Sequence, residues 1–219
     1  MCSNEEEKKI GFPRLGEPAP QFEAVTTQGK LKLEDFKGSW LVMFSHPADF
    51  TPVCTTEFIA FAQLHENLRE MNCELMGLSI DSVYSHIAWA RTIEEKFGVK
   101  ISFPIIADLN KEVASLYGMV MPGESKTETS RCLFIIDDKQ ILRAMIYYPL
   151  STGRNTDEVT RVIQGLQATD KNGIATPANW RPGDKVIVPP PQTQEIAEQR
   201  VKDESVECTD WFFCMKKLD

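Results

Sequence analysis

The run "SWLVMFS" over Ser39–Ser45 most constrains the fold. It is continuously apolar, short, and suited to a strand buried on both faces. From Pro52 onward apolar residues recur at Phe58, Phe61, Ala62, Leu64, Leu68 and Met71, which is helical spacing. A second buried strand, "CELMGLSID", follows. A chain that passes from buried strand to helix to buried strand is building a sheet with helices packed on it.

The remaining sequence extends that pattern. "QFEAVTTQGKLKLEDF" reads as two short strands about a turn at Gln28-Gly29. "SVYSHIAWARTIEEKFG" reads as a helix stopped at Gly98, "SFPIIAD" as a short strand, and "NKEVASLYG" as a short helix. After the polar loop "MVMPGESKTETS", the segments "RCLFIID" and "ILRAMIYYP" flank Asp137–Gln140 as a hairpin. "TDEVTRVIQGLQATDKNG" is an amphipathic helix with Val159, Val162, Ile163 and Leu166 on one stripe. The expected fold is α/β, a mixed sheet flanked by helices, over residues 1–172. Beyond Asn172 the chain turns Pro-rich, then charged, and ends in "CTDWFFCMKK". Residues 173–219 are expected to form an appendage.

Composition excludes several functions. A net charge of -8 disfavours nucleic acid, because phosphate binding needs clustered Lys and Arg. "MCSNEEEKK" lacks the apolar segment of a signal peptide, and no run is long enough to span a bilayer. The expected location is the cytoplasm. There, the six cysteines are expected to be buried, catalytic or metal-binding rather than a disulfide framework. Metal binding is disfavoured, since no C-x-x-C pair exists and His46, His65 and His86 lie far apart in sequence. Cys73 and Cys132 sit inside apolar strands and read as packing; Cys2 reads as a tail thiol. His65 and His86 read as helix filler.

Cys54 is different. With Thr51 as N-cap and Pro52 at the first helical position, Cys54 falls where a capping box would place Glu or Gln. Unpaired N–H groups and the helix dipole there favour an anionic sulfur. Bringing an ordinary thiol, near 8.5, down to about 6 takes roughly 3.4 kcal/mol of preference for the anion. A helix end supplies about 0.3–1 kcal/mol, or ~2 when partly buried. A cation is therefore needed, and Arg131 and Arg154 are the candidates.

"PADFTPVC" (Pro47–Cys54) has the P-x-x-x-T-x-x-C form of the peroxiredoxins. The longer "FSHPADFTPVCTTE", with "TSR" ending at Arg131 and "YPLSTGRNTDE", resembles the one-cysteine-like peroxiredoxin subfamily. The ending "CTDWFFC" is similar to archaeal and some bacterial members with two extra C-terminal cysteines. The resemblance implies a thioredoxin-like fold with a C-terminal dimerisation arm. It also implies reduction of hydrogen peroxide and organic hydroperoxides to water or alcohols. Carried over, Cys54 is the peroxidatic thiolate, Thr51 positions and polarises the peroxide, Pro47 shields the sulfur, and Arg131 binds substrate and stabilises the thiolate. His46 matches the subfamily's active-site His, as a hydrogen-bonding neighbour. No metal or organic cofactor is implied.

The Cys54 sulfenic acid would condense with a second thiol. Cys214 is ranked before Cys208 on the behaviour of similar archaeal proteins. A thioredoxin-like or other thiol reductant and a homo-oligomer of dimers, most often a decameric ring, are further implications. A phospholipase activity known in some eukaryotic members is not expected, because Glu34 stands where its His would fall. Two other classes are set against the peroxidase: a redox-regulated chaperone, and a thiol–disulfide oxidoreductase, which the missing C-x-x-C disfavours.

Overall fold

The computed structural model describes residues 12–218. The N-terminal tail, Cys2 included, lies outside the described residues. Among the described residues, ten strands and five α-helices follow in chain order. The strands are β1 (Glu23–Thr26), β2 (Gly29–Lys32), β3 (Trp40–Ser45), β4 (Cys73–Ser79), β5 (Ile105–Ala107), β6 (Arg131–Ile136), β7 (Leu142–Tyr148), β8 (Val186–Val188), β9 (Glu207–Asp210) and β10 (Phe213–Lys216). The helices are α1 (Pro52–Glu70), α2 (Val83–Phe97), α3 (Glu112–Leu116), α4 (Thr156–Asn172) and α5 (Gln194–Arg200). Two compact units result, one through Thr156 and one from Asp157 onward.

The first unit is a seven-stranded mixed sheet in the order β2-β1-β5-β4-β3-β6-β7. β3 is parallel to β4, β4 to β5, and the other pairs are antiparallel. Every residue of β3 is buried, as its uninterrupted apolar run requires. Leu41 and Met43 face one core layer with Met76, Leu78, Phe134 and Tyr117. Phe44, on the other face, stacks with Phe61 of α1 and meets Phe58 and Phe103 edge-on. A Cβ at Gly77 would lie 3.2 Å from the Phe58 ring, so the bare backbone of β4 lets α1 pack closely on the sheet. α2 starts at an Ser82 cap and ends at Gly98 in the left-handed conformation, as expected from its Gly stop.

The second unit holds α4, α5 and a three-stranded sheet in the order β8-β10-β9. Trp180 is buried with Ile174 and Val186 in a small core of its own. Periodicity alone does not indicate these strands. By contrast, Trp211, Phe212 and Phe213, at the tip of the β9–β10 hairpin, are exposed.

Candidate active site

Thr51 caps α1 with extended backbone and Pro52 opens the helix, as the sequence indicated. The Thr51 hydroxyl does not cap the helix; it donates to the Ala48 carbonyl at 2.9 Å and tightens the preceding loop. Cys54 begins a buried stripe that continues through Glu57, Phe58, Phe61, His65 and Leu68. Its side chain is fully buried and its thiol is free.

The register of β6 against β3 delivers the cation. Ser45, the last residue of β3, donates to the Ser130 carbonyl and accepts from Cys132 N–H, locking the start of β6 beside the loop that leads into α1. Arg131 then reaches the sulfur: its Nη1 lies 3.3 Å from Cys54 Sγ. The same Nη1 donates to Glu57 Oε2 at 2.7 Å, while Nε and Nη2 both donate to the Leu150 carbonyl.

Glu57 organises the site, and sequence reasoning gave it no role. It accepts from Arg131 and, through both oxygens, from the Arg154 backbone N–H, Nε and Nη2, each at 2.8 Å. Arg154 completes its donors on the carbonyls of Ser45 and Cys132 and stacks over Phe44 and Phe61. Burial opposes the Glu57 charge. Arg154 and then Arg131 outweigh that penalty and hold the carboxyl below its ordinary range. Two guanidiniums and one carboxylate leave a buried cluster with one net positive charge against the Cys54 sulfur. The legible signal was a glutamate on an otherwise apolar stripe, one turn after Cys54.

His46 lies elsewhere in the network. Its Nε2 donates to Asp49 Oδ1 at 2.9 Å, its ring packs on Phe58 and Trp89, and its Nδ1 is buried without a partner. Burial lowers its pKa more strongly than Asp49 raises it. His86, taken for filler, meets the same Asp49 carboxylate through Nδ1 at 2.8 and 3.0 Å. Burial disfavours the Asp49 charge, but its bonds to His46 and His86 prevail and keep the carboxyl well below the usual range. Distance in sequence was thus a poor guide to the histidines. Among the described residues, these three form the one cluster with metal-ligand composition. Their N–O contacts of 2.8–3.0 Å are hydrogen bonds. A tetrahedral ion with bonds of about 2.0–2.1 Å would spread neighbouring ligand atoms to roughly 3.3 Å.

Cys73 and Cys132 are buried packing thiols, pushed up to about 12 by burial. Cys208 and Cys214 face each other across the β9–β10 hairpin and are joined by a disulfide, with Cα atoms 4.0 Å apart.

The AhpC/TSA family profile matches residues 15–145, more than half of the chain, and the profile of the C-terminal domain of 1-Cys peroxiredoxin matches residues 165–204. The chain belongs to the peroxiredoxins. It is 58% identical to the peroxiredoxin of Aquifex aeolicus over 95% of this chain and 99% of that one. It is 52% identical to the peroxiredoxin of Methanosarcina mazei over 94% and 98%. Among solved structures, the yeast mitochondrial 1-Cys peroxiredoxin matches with a TM-score of 0.84 at 43% identity, covering 94% of this chain and 99% of that one. Peroxiredoxin 6 of Arenicola marina, as its C45S mutant, matches with a TM-score of 0.85 at 38% identity, covering 94% and 98%. The fold is therefore the thioredoxin-like peroxiredoxin fold, and the protein is a thiol-dependent peroxidase. No helix among the described residues is long and apolar enough to cross a membrane.

Proposed function

We propose that Cys54 is the thiol that peroxide oxidises. The observation that carries this reading is the Arg131 guanidinium 3.3 Å from the sulfur, within a buried cluster whose net positive charge a thiolate would neutralise. The thiolate attacks one peroxide oxygen, the O–O bond breaks, and the second oxygen leaves as water or alcohol after taking a proton. Cys54 becomes a sulfenic acid. Arg131 holds the substrate oxygens, Thr51 polarises the peroxide, and Pro47 shields the sulfur. His46 is assigned a supporting role behind that loop. Hydrogen peroxide and organic hydroperoxides are the substrates. Cys54→Ser should fold and lose peroxide turnover by several orders of magnitude; near-normal turnover would end this assignment.

The tail supplies resolution. Cys214 condenses with the Cys54 sulfenic acid, releasing water. Cys208 then attacks Cys214, freeing Cys54 and leaving the Cys208–Cys214 disulfide, the form seen in the hairpin. A thioredoxin-like dithiol reduces that pair from outside. Residues 173–219 act as a dimerisation arm on the peroxidase domain of 1–172. The exposed Trp211, Phe212 and Phe213 support packing against a second copy. Dimers assembled into a decameric ring, working in the cytoplasm in antioxidant defence, complete the reading.

A further inference from the structure

The segment between β3 and α1 carries Pro47 and Thr51 and delivers Cys54, yet little of its own sequence explains why it holds its shape. Phe50 sits in the middle with φ of 57°, a conformation that bulky residues avoid, and its side chain is exposed. Such a residue stays there only if its neighbours hold it. On one side, Thr51 donates to the Ala48 carbonyl. On the other, Asp49 is fixed at three points. Its N–H donates to Asp81 Oδ2 at 3.0 Å, and its carboxylate accepts from His46 Nε2 and from His86 Nδ1. His86 is fixed in turn, since its Nε2 donates to the Ile106 carbonyl at 3.1 Å. An ionised carboxylate and a carbonyl only accept, so His86 donates from both ring nitrogens. The side chains of Asp49 and His86 have no exposed surface to speak of, so water does not substitute for either bond.

We propose that Asp49 and His86 form a clamp that fastens the peroxide-binding loop to α2, making them positioning residues for the reaction at Cys54. His86 touches neither Cys54 nor Arg131. It acts through Asp49 on Phe50 and Thr51, and so on the space where the peroxide must lie. The inference rests on Cys54 being the oxidised thiol, and it concerns the geometry of attack rather than the ionisation of the sulfur. The Arg131–Cys54 contact belongs to β6 and the first turn of α1, which the clamp leaves alone.

Two variants separate the bonds of His86. The amide nitrogen of Asn takes the place of Nδ1, so His86→Asn keeps the donor to Asp49 and loses the one to Ile106. The amide nitrogen of Gln takes the place of Nε2, so His86→Gln does the reverse. The readouts are the second-order rate of Cys54 oxidation by hydrogen peroxide and the rate of Cys54 alkylation by iodoacetamide, with the labelled peptide identified by mass spectrometry. The clamp predicts a loss of about 10- to 100-fold in peroxide rate for His86→Gln, the scale of a displaced reacting group. It predicts a rate within about threefold of wild type for His86→Asn and alkylation within about twofold for both. Asp49→Asn, which places an amide donor against a His donor, should lose peroxide rate as His86→Gln does. Equal peroxide rates in the Gln and Asn variants would overturn the clamp, as would alkylation falling in step with peroxide reactivity. Neither outcome would touch the assignment of Cys54, which stands or falls on Cys54→Ser.

Discussion

Replacing Arg131 by Met removes the cation nearest Cys54 and keeps most of the side-chain volume. At an effective dielectric of about 20, a full charge 3.3 Å away is worth about 5 kcal/mol. The guanidinium charge is spread over its nitrogens, and Nη1 also serves Glu57 at 2.7 Å, so roughly half, about 2–3 kcal/mol, remains for the sulfur. That corresponds to about 30- to 150-fold in the ionisation constant of the thiol. A more basic thiolate is also a better nucleophile, which returns about half of the loss on a logarithmic scale. Alkylation of Cys54 near pH 5, where the thiol is mostly protonated in both proteins, should therefore fall about 5- to 12-fold. Peroxide turnover should fall further, by about 100-fold or more, because a donor to the developing negative charge on oxygen is lost as well. Glu57 keeps its three bonds to Arg154, so the variant does not strand a buried carboxylate and should fold. Labelling near pH 5 with identification of the Cys54 peptide is the assay. An alkylation rate unchanged within about twofold would refute the reasoning and transfer the electrostatic role to Arg154.

Three further outcomes are expected. In fully reduced protein given one equivalent of hydrogen peroxide and quenched early with acid, non-reducing gels should show a Cys54–Cys214 disulfide-linked dimer that then gives way to the Cys208–Cys214 disulfide. Cys214→Ser should lose that dimer and Cys208→Ser should accumulate it; the reverse pattern would exchange the two roles. Stability should fall at both ends of the pH range. Cys73 and Cys132 are pushed up to about 12, so the folded state holds protons that the unfolded state sheds above about pH 9. The unfolding free energy from urea titrations should decline from there by up to about 1.4 kcal/mol per pH unit for each thiol, and a flat value to pH 10 would contradict the burial argument. On the acid side, Asp49 and Glu57 titrate below their unfolded values and His46 resists protonation. Stability should thus begin to drop as pH falls through about 6.5 and drop more steeply below about 4.5. Finally, sedimentation at micromolar concentration should show a species larger than a monomer, with Trp211→Ser and Phe212→Ser weakening it; a wild-type monomer would oppose the packing assigned to the hairpin tip.

The sheet and the entry into α1 were legible because they obey local rules. The unbroken apolar run of β3, the Thr-Pro start of α1 and the Gly98 stop of α2 each follow from short-range sterics, hydrogen bonding or burial. The need for a cation beside Cys54 was also legible, since a helix end supplies too little. Which arginine supplies it was named only by the resemblance, not by spacing, because β6 meets β3 antiparallel and that register is a property of the assembled sheet. The same holds for the clusters behind the sulfur. Glu57, Asp49 and His86 look unfavourable when taken one at a time: two carboxylates and an imidazole at buried positions. Each becomes tolerable only through partners from other elements, Arg131 and Arg154 for Glu57, and two histidines for Asp49. Read as a rule, a charged or imidazole side chain on an apolar stripe demands a partner, and the demand can be seen before the partner is known. Glu57 on the stripe of α1 and His86, one turn before Trp89 on the stripe of α2, both make that demand. The fold answers it by drawing the partners toward the segment that leads into Cys54, so the residues hardest to place from sequence are those packed around that segment.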